Sequence, residues 1–155
     1  MRREKLNMAT SAAKADGHGR YVLDDQVGFL LRVALQRHTA IFTTRMIEGL
    51  TQTQFAALAK LAEVGPFSQN HLGRLIYLDA ATIKGVVDRL GARGFITALN
   101  DPMDRRRRRA VALTDRGRQV TEAAQLVAAE ITAATPAART EEEQGLVTRL
   151  LRKLA

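Results

Sequence analysis

The chain has 155 residues, 46% of them apolar, which is enough for one domain with a hydrophobic core. It carries 24 Lys and Arg against 16 Asp and Glu, and this formal charge of +8 favours a polyanionic partner such as nucleic acid. Because cysteine is absent, disulfides, thiolate metal sites and cysteine nucleophiles are excluded, and a reducing cytoplasm fits.

The first twenty residues are small or charged and show no apolar periodicity. We expect residues 1–20 to form a flexible basic arm, either a solvated tail or one that contacts DNA. They lack the apolar core of a secretory signal. No apolar run approaches the ~18–20 residues that a bilayer-spanning helix needs, so we expect a cytoplasmic protein without a membrane partner.

Four helices are predicted ahead of residue 95, because apolar residues recur at three- and four-residue steps after potential capping residues. They are 24–47 after Asp24 or Asp25, 52–64 after the capping-box residue Thr51, 69–76 after Ser68 and 80–93 after Asp79. Gly94 is placed to end the fourth helix in a left-handed turn. The short third helix, a tight turn and the longer fourth helix make a helix-turn-helix.

The periodicity then changes from 3.6 to 2, which predicts a hairpin of strands 95–99 and 109–113 around the turn residues 100–104. Thr114 is predicted to cap a fifth helix that continues to about residue 135, and the acidic residues 141–143 mark the start of a sixth. The predicted fold is mainly α with a small β-hairpin wing: a winged helix-turn-helix with about six helices.

Five consecutive arginines stand at the tip of the predicted hairpin, beside Asp104, which can hold one of them in a fixed rotamer. The guanidinium group suits phosphates and narrow minor grooves, because its planar fork donates two hydrogen bonds and is weakly hydrated. A solvated charge run is the alternative. The position after a helix-turn-helix favours DNA contact, and the predicted contacts are Arg105, Arg106, Arg107 and Arg108.

The fourth helix is the predicted recognition helix. Small outward residues let its backbone approach base edges, the methyl of Thr82 can contact a thymine methyl, and Lys84 can reach a phosphate or a guanine edge. Its predicted contacts are Ala81, Thr82, Lys84 and Arg89. At the start of the third helix, the residues predicted to hydrogen-bond phosphates are Ser68, Gln69 and Asn70.

Four segments in this order resemble the MarR family (multiple antibiotic resistance regulators) over about 24–155. They are Leu50–Leu58, Asp79–Ile96, the Asp-Pro-x-Asp-Arg-Arg wing at 101–106, and Leu113–Gly117. The resemblance implies a homodimer whose recognition helices enter the major grooves, and whose wings enter the flanking minor grooves, of a near-palindromic operator in double-stranded DNA.

The resemblance also implies dimerisation helices at 21–48 and 114–155, on either side of a winged helix-turn-helix lobe at 49–113. The segment from Asp104 to Thr114 is one residue longer than is usual in the family. We expect a bulge in the return strand to absorb the extra residue, and which arginine enters the minor groove stays open.

Many members of the family are released from DNA by a small molecule bound between the dimer helices and the DNA-binding lobe. The run Asp25–Phe42 resembles the regulators of aromatic-acid catabolism, which suggests an aromatic or pyridine carboxylate, or an aromatic acyl-coenzyme A, as the effector. The tentative ligand residues are Arg32, Arg37, His38 and Arg45. A role for His38 in the dimer seam is the alternative. No cofactor is expected, and with no Cys and three His no metal site is expected.

The residue inventory argues against an enzyme, because it has no phosphate-binding glycine loop and no acid paired with a histidine in a catalytic arrangement. The sequence therefore predicts a ligand-responsive transcriptional repressor of an aromatic-compound catabolic operon. The alternative is a ligand-independent, nucleic-acid-binding architectural protein. Such a protein would bind any duplex with similar affinity, whereas a specific regulator prefers its operator by ~10³–10⁷-fold.

Overall fold

The structure, a computed structural model, describes residues 21–99, 110–136 and 140–155. Within these ranges it contains six α-helices and a three-stranded antiparallel sheet, which confirms the predicted winged-helix architecture. In chain order the elements are α1 Val27–Arg45, α2 Gln52–Val64, β1 Phe67–Ser68, α3 Gln69–Leu75, α4 Ala80–Ala92, β2 Ile96–Leu99, β3 Ala110–Leu113, α5 Asp115–Ala134 and α6 Glu141–Leu154. The chain divides into two compact units, with the boundary after His38.

Side-chain caps define the starts of five helices. In each case a Ser, Thr or Asp oxygen accepts a hydrogen bond from the amide three residues later, which satisfies one of the donors that a helix start leaves without a partner. The caps are Thr51, Ser68, Asp79, Thr114 and Thr140. Sequence analysis predicted the first four and missed the capping box of Thr140 with Glu143.

The bounds of α1 were predicted wrongly at both ends. Asp24 and Asp25 do not cap it, because they lie in a separate 3-10 turn, Leu23–Asp25, and Gln26 is extended before α1 begins. At the other end the helix stops at Arg45, since Met46 is also extended and leads into a second 3-10 turn, Ile47–Gly49.

The sheet has the order β1-β3-β2, and β1 was not predicted, because two residues are too few to show a periodicity. The β2–β3 ladder pairs Ile96 with Leu113 and Leu99 with Ala110 in continuous register. The described part of the return strand, 110–113, therefore has no bulge. Residues 100–109, where the expected bulge would otherwise lie, are outside the described residues, so that expectation stays untested.

The core of the unit that begins at Thr39 is built from the end of α1 and the segment after it, α2 to α5 and the sheet, and its fully buried members include Leu58, Leu72 and Phe95. Gly73 lets α3 approach α4 closely. A Cβ at this position would lie 3.0 Å from Cγ2 of Ile83 and 3.2 Å from the carbonyl oxygen of Leu78. This contact helps to fix the orientation of α4 on the core.

Candidate nucleic-acid interface

The helix α4 has one face in the core and one in solvent. Ile83, Val86 and Leu90 are buried. The four residues predicted to contact DNA from this helix are all exposed: Ala81, Thr82, Lys84 and Arg89. The helix therefore presents the predicted set on one accessible surface, although contact with DNA itself stays a prediction.

The start of α4 is organised by Asp79. Its Oδ1 accepts from the amide of Thr82 at 2.8 Å, and its Oδ2 accepts from the Thr82 hydroxyl at 2.7 Å. The hydrogen bond from the Thr82 amide, followed by that from its hydroxyl, lowers the pKa of Asp79 below its ordinary value. Because the Thr82 hydroxyl donates to Asp79, it meets any further partner as an acceptor.

Charged side chains further along α4 are engaged with their own helix. Nζ of Lys84 lies 2.6 Å from Oδ2 of Asp88, and both side chains are largely exposed. The guanidinium of Arg89 lies over Gly85, where an added Cβ would meet its Nη1 at 3.3 Å. Gly85 therefore leaves room for this arginine to lie along the helix.

The start of α3 holds the three residues predicted to bind phosphate. Ser68 Oγ accepts from the amide of His71 at 3.3 Å, so the Ser68 oxygen serves as the helix cap. Gln69 is half-buried and Asn70 is exposed. The His71 ring packs against Phe67 with 4.9 Å between ring centroids. The cap explains the position of Ser68 without DNA, and its predicted phosphate contact is untested.

The predicted wing arginines, Arg105, Arg106, Arg107 and Arg108, lie outside the described residues. The strands that flank them do form the predicted hairpin, since β2 and β3 pair along their whole described length. Phe67 and Ser68 extend the sheet on the far side of β3. The predicted pairing of the two wing strands is thus confirmed, and the sheet has a third strand, β1, that was not predicted.

A cavity of about 380 Å³ lies between the C-terminal half of α1 and the start of α2. Its apolar lining comes from Phe42, Met46 and Leu50, and the remaining lining residues are Thr39, Thr43, Gly49, Thr51, Gln52 and Thr53. Apolar walls with a few hydroxyl and amide groups are typical of a small-molecule site, and the volume falls in the usual range. Sequence analysis did not predict this cavity and named Thr51, among its lining residues, only as a helix cap.

The tentative ligand residues were drawn from α1. Arg32, Arg37 and Arg45 are exposed, and His38 is half-buried. The guanidinium of Arg32 lies 5.1 Å from the centroid of the Phe29 ring. Arg45 does not line the cavity, and the ligand-binding role of all four residues stays a prediction.

One arginine joins the end of α4 to the turn beside the cavity. Nη2 of Arg93 donates to the carbonyl oxygen of Glu48 at 2.6 Å and to its Oε2 at 3.2 Å. The same guanidinium lies 4.5 Å from the centroid of the Phe95 ring. Sequence analysis missed this link, which joins residues 45 positions apart.

Known proteins resemble this chain in both sequence and fold. A sequence model of the MarR family matches residues 50–107. The transcriptional repressor NicR of Pseudomonas putida is 39% identical over 135 residues, which cover 86% of this chain and 85% of NicR. The chain belongs to the MarR family. This MarR-family protein is therefore a DNA-binding transcriptional regulator and not an enzyme, as the sequence predicted.

Two solved structures have folds similar to that of this chain. A probable transcriptional regulator from Pseudomonas aeruginosa has a TM-score of 0.81 at 48% identity, covering 86% of this chain and 100% of that one. BpsR of Bordetella bronchiseptica, whose DNA binding is described as regulated by 6-hydroxynicotinic acid, has a TM-score of 0.79 at 38% identity, covering 88% of this chain and 97% of BpsR.

Two further properties concern residues 21–99, 110–136 and 140–155 alone. No helix in these ranges is long and apolar enough to cross a membrane. The same ranges contain no cluster of three or more His, Asp or Glu side chains that could hold a metal ion.

Proposed function

We propose that this regulator is a homodimeric repressor that binds a near-palindromic operator and releases it when an aromatic carboxylate binds. The observation that carries the proposal is the exposed face of α4, which presents Ala81, Thr82, Lys84 and Arg89 together beside the β2–β3 hairpin. In this proposal α4 enters a major groove, and the arginines at 105–108 enter the adjacent minor groove.

The helix α6 supports assembly into a dimer. Its exposed apolar residues recur at helical spacing, so they form one stripe of an otherwise charged helix. They are Leu146, Val147, Leu150, Leu151 and Leu154, with between 41% and 69% of each side chain exposed. A second copy of the chain would cover this stripe and hold two recognition helices roughly one DNA turn, ~34–36 Å, apart.

The cavity beside α2 supports a small-molecule effector. Its volume of about 380 Å³ suits a single aromatic acid better than a whole coenzyme A thioester, most of which would remain outside. BpsR responds to 6-hydroxynicotinic acid, and NicR is named a repressor. We therefore favour a hydroxylated aromatic or pyridine carboxylate, held by polar groups of the cavity, as the effector. An operon for aromatic-compound catabolism is the proposed target.

The first test is operator selection from a random duplex library, followed by binding titrations at several salt concentrations. A specific dimeric regulator should select a near-palindrome, and light scattering should show two copies of the chain. Similar affinity for every duplex would instead favour an architectural protein. Addition of 6-hydroxynicotinic acid, other aromatic acids and their coenzyme A thioesters should show which class weakens binding.

The wing is tested by the double variant Arg106→Ala/Arg107→Ala. If each arginine neutralises one phosphate, the slope of log K against log salt should become less steep by about 0.9 for each arginine removed. The matched control is Arg149→Ala/Arg152→Ala, which removes the same charge from the polar side of α6. Equal slopes for the wing variant and the unmodified protein would refute the wing assignment.

A further inference from the structure

We propose that Arg93 is a positioning residue that couples the cavity to the recognition helix. Arg93 hydrogen-bonds Glu48 in the turn formed by residues 48–50, which we call the cavity turn. A ligand that displaces this turn would change the orientation of α4 through these hydrogen bonds. The proposal rests on the proposed function, because it assigns the route by which an effector in that cavity acts on DNA binding.

The cavity turn, residues 48–50, has a restricted backbone conformation. Glu48 and Gly49 both have left-handed backbone angles, with φ of 55° and 57°. A left-handed glutamate is strained and persists only when its surroundings hold it. Gly49 and Leu50 line the cavity directly, so a ligand there would press on this turn.

Arg93 is the residue that holds the turn from the α4 side. Its bond to the carbonyl oxygen of Glu48 fixes the backbone, and its second bond reaches the Glu48 carboxylate. Both are charge-assisted, and the side chain is about two-thirds buried at 32% exposure. A guanidinium can make both bonds and stack on a ring at once because it is planar and has several donors.

The other end of the link is rigid. Arg93 is the C-cap of α4, and its amide donates to the carbonyl of Arg89 at 3.2 Å. Its guanidinium packs on Phe95, which is fully buried. A shift of the cavity turn, which also packs against α5, would therefore be passed to the end of α4 through the Arg93 side chain.

The chain offers a matched control in Arg116. Its guanidinium lies 5.1 Å from the centroid of the same Phe95 ring, but it is on α5 and, within the described residues, makes no hydrogen bond to the turn. Arg116→Ala thus removes a cation from the same ring and leaves the link between the turn and α4 in place. A general effect of losing the ring contact would appear in both variants.

The experiment measures duplex affinity with and without 6-hydroxynicotinic acid, using the selected operator and the full-length protein. In the unmodified protein and in Arg116→Ala we expect the acid to weaken binding by about 5–150-fold, the usual range of allosteric coupling. In Arg93→Ala the ratio should fall towards one. If folded Arg93→Ala keeps the ratio of the unmodified protein, the proposal is wrong.

A second measurement does not need the correct effector. Coupling is reciprocal, so operator DNA bound to α4 should change hydrogen exchange at the amides of residues 48–50. We expect protection of these amides in the unmodified protein and in Arg116→Ala, and its loss in Arg93→Ala. Absence of any change in the unmodified protein would overturn the proposal.

The two proposals fail in distinguishable ways. If no acid affects DNA binding but exchange at the turn responds to the operator through Arg93, the effector assignment fails and the coupling stands.

If Arg93→Ala does not fold, Arg93→Lys replaces it. Lysine keeps the charge but lacks the planar fork, so an intermediate loss of coupling is expected. Unaltered coupling in folded Arg93→Lys would refute the role of Arg93, and so would an equal loss of coupling in Arg116→Ala.

Discussion

The backbone of Gly117 lies directly against the carbonyl group of Phe95, with no space for a Cβ between them. Thr114 closes the same junction, since its hydroxyl donates to the carbonyl oxygen of Gly94 at 2.6 Å and its amide donates to that of Phe95 at 3.0 Å. These hydrogen bonds and this packing contact hold the first turn of α5 against the segment that joins α4 to β2. The recognition helix and the wing strand thus share one rigid attachment to α5.

Gly117→Ala should therefore destabilise the fold strongly. A methyl group cannot fit against the Phe95 carbonyl, so the start of α5 must shift, and we expect a loss of about 3 kcal/mol or more in the free energy of unfolding. Urea denaturation measures this. The control is Gly145→Ala in α6, where a Cβ meets nothing within 4 Å and helix propensity predicts a gain of roughly 0.5–1 kcal/mol. Similar changes in the two variants would contradict the packing argument.

The local features of the fold were predictable because their signals are short in sequence. The caps can be recognised from residue type alone, because each is a Ser, Thr or Asp just before an apolar helical pattern and accepts from the amide three residues later. They are Thr51, Ser68, Asp79 and Thr114. The change from a helical to an alternating pattern likewise located the hairpin. The exposed set on α4 follows from the same helical periodicity.

The long-range features could not be read in this way. Gly117 looks like any glycine in a helix until the Phe95 carbonyl is placed against it. The contact between Arg93 and Glu48 depends on the path of the chain across 45 residues. The cavity depends on how the end of α1, the following turn and the start of α2 meet, and no local pattern marks its lining residues as a group. Each of these requires the tertiary arrangement, which no local pattern contains.

Tyr77, between α3 and α4, offers a test of backbone strain. Its φ is +58°, a left-handed value that glycine adopts more easily, and its side chain is 85% exposed. Tyr77→Gly should be more stable than Tyr77→Ala by about 1 kcal/mol, because both variants lose the ring but only glycine relieves the strain. Thermal and urea unfolding of the pair measure the difference. Equal stability would show that the turn relaxes around a non-glycine residue without cost.

The cap at Asp79 predicts a pH dependence. Hydrogen bonds from Thr82 lower the pKa of Asp79 in the folded state, so its ionised form stabilises the fold above the ordinary value of 3.8. That stabilisation is lost as the pH falls through the lowered folded-state pKa. Asp79→Asn keeps an acceptor but cannot titrate, so the unmodified protein should melt at a higher temperature near neutral pH, and the difference should shrink in acid. A gap that does not shrink at any pH below 3.8 would exclude this carboxylate as its source.

The ion pair between Lys84 and Asp88 makes a prediction for DNA binding. With 66% and 59% of the two side chains exposed, the pair contributes only about 0.3–0.5 kcal/mol to stability, so changing either residue should barely alter unfolding. Lys84→Ala should weaken duplex binding and make the salt dependence of log K less steep by about one phosphate contact.

Asp88→Asn should have the opposite effect. It removes a negative charge from the face that we propose meets DNA and releases Lys84 from its 2.6 Å pairing, so affinity should rise for all duplexes. The control is Glu63→Gln, which breaks the ion pair of this exposed glutamate with the half-buried Lys60 on α2 and should leave binding unchanged. Anisotropy titrations with operator and scrambled duplexes measure both. If Asp88→Asn instead weakens operator binding alone, the carboxylate accepts a hydrogen bond from a cytosine amine, and Asp88 is a base-reading residue.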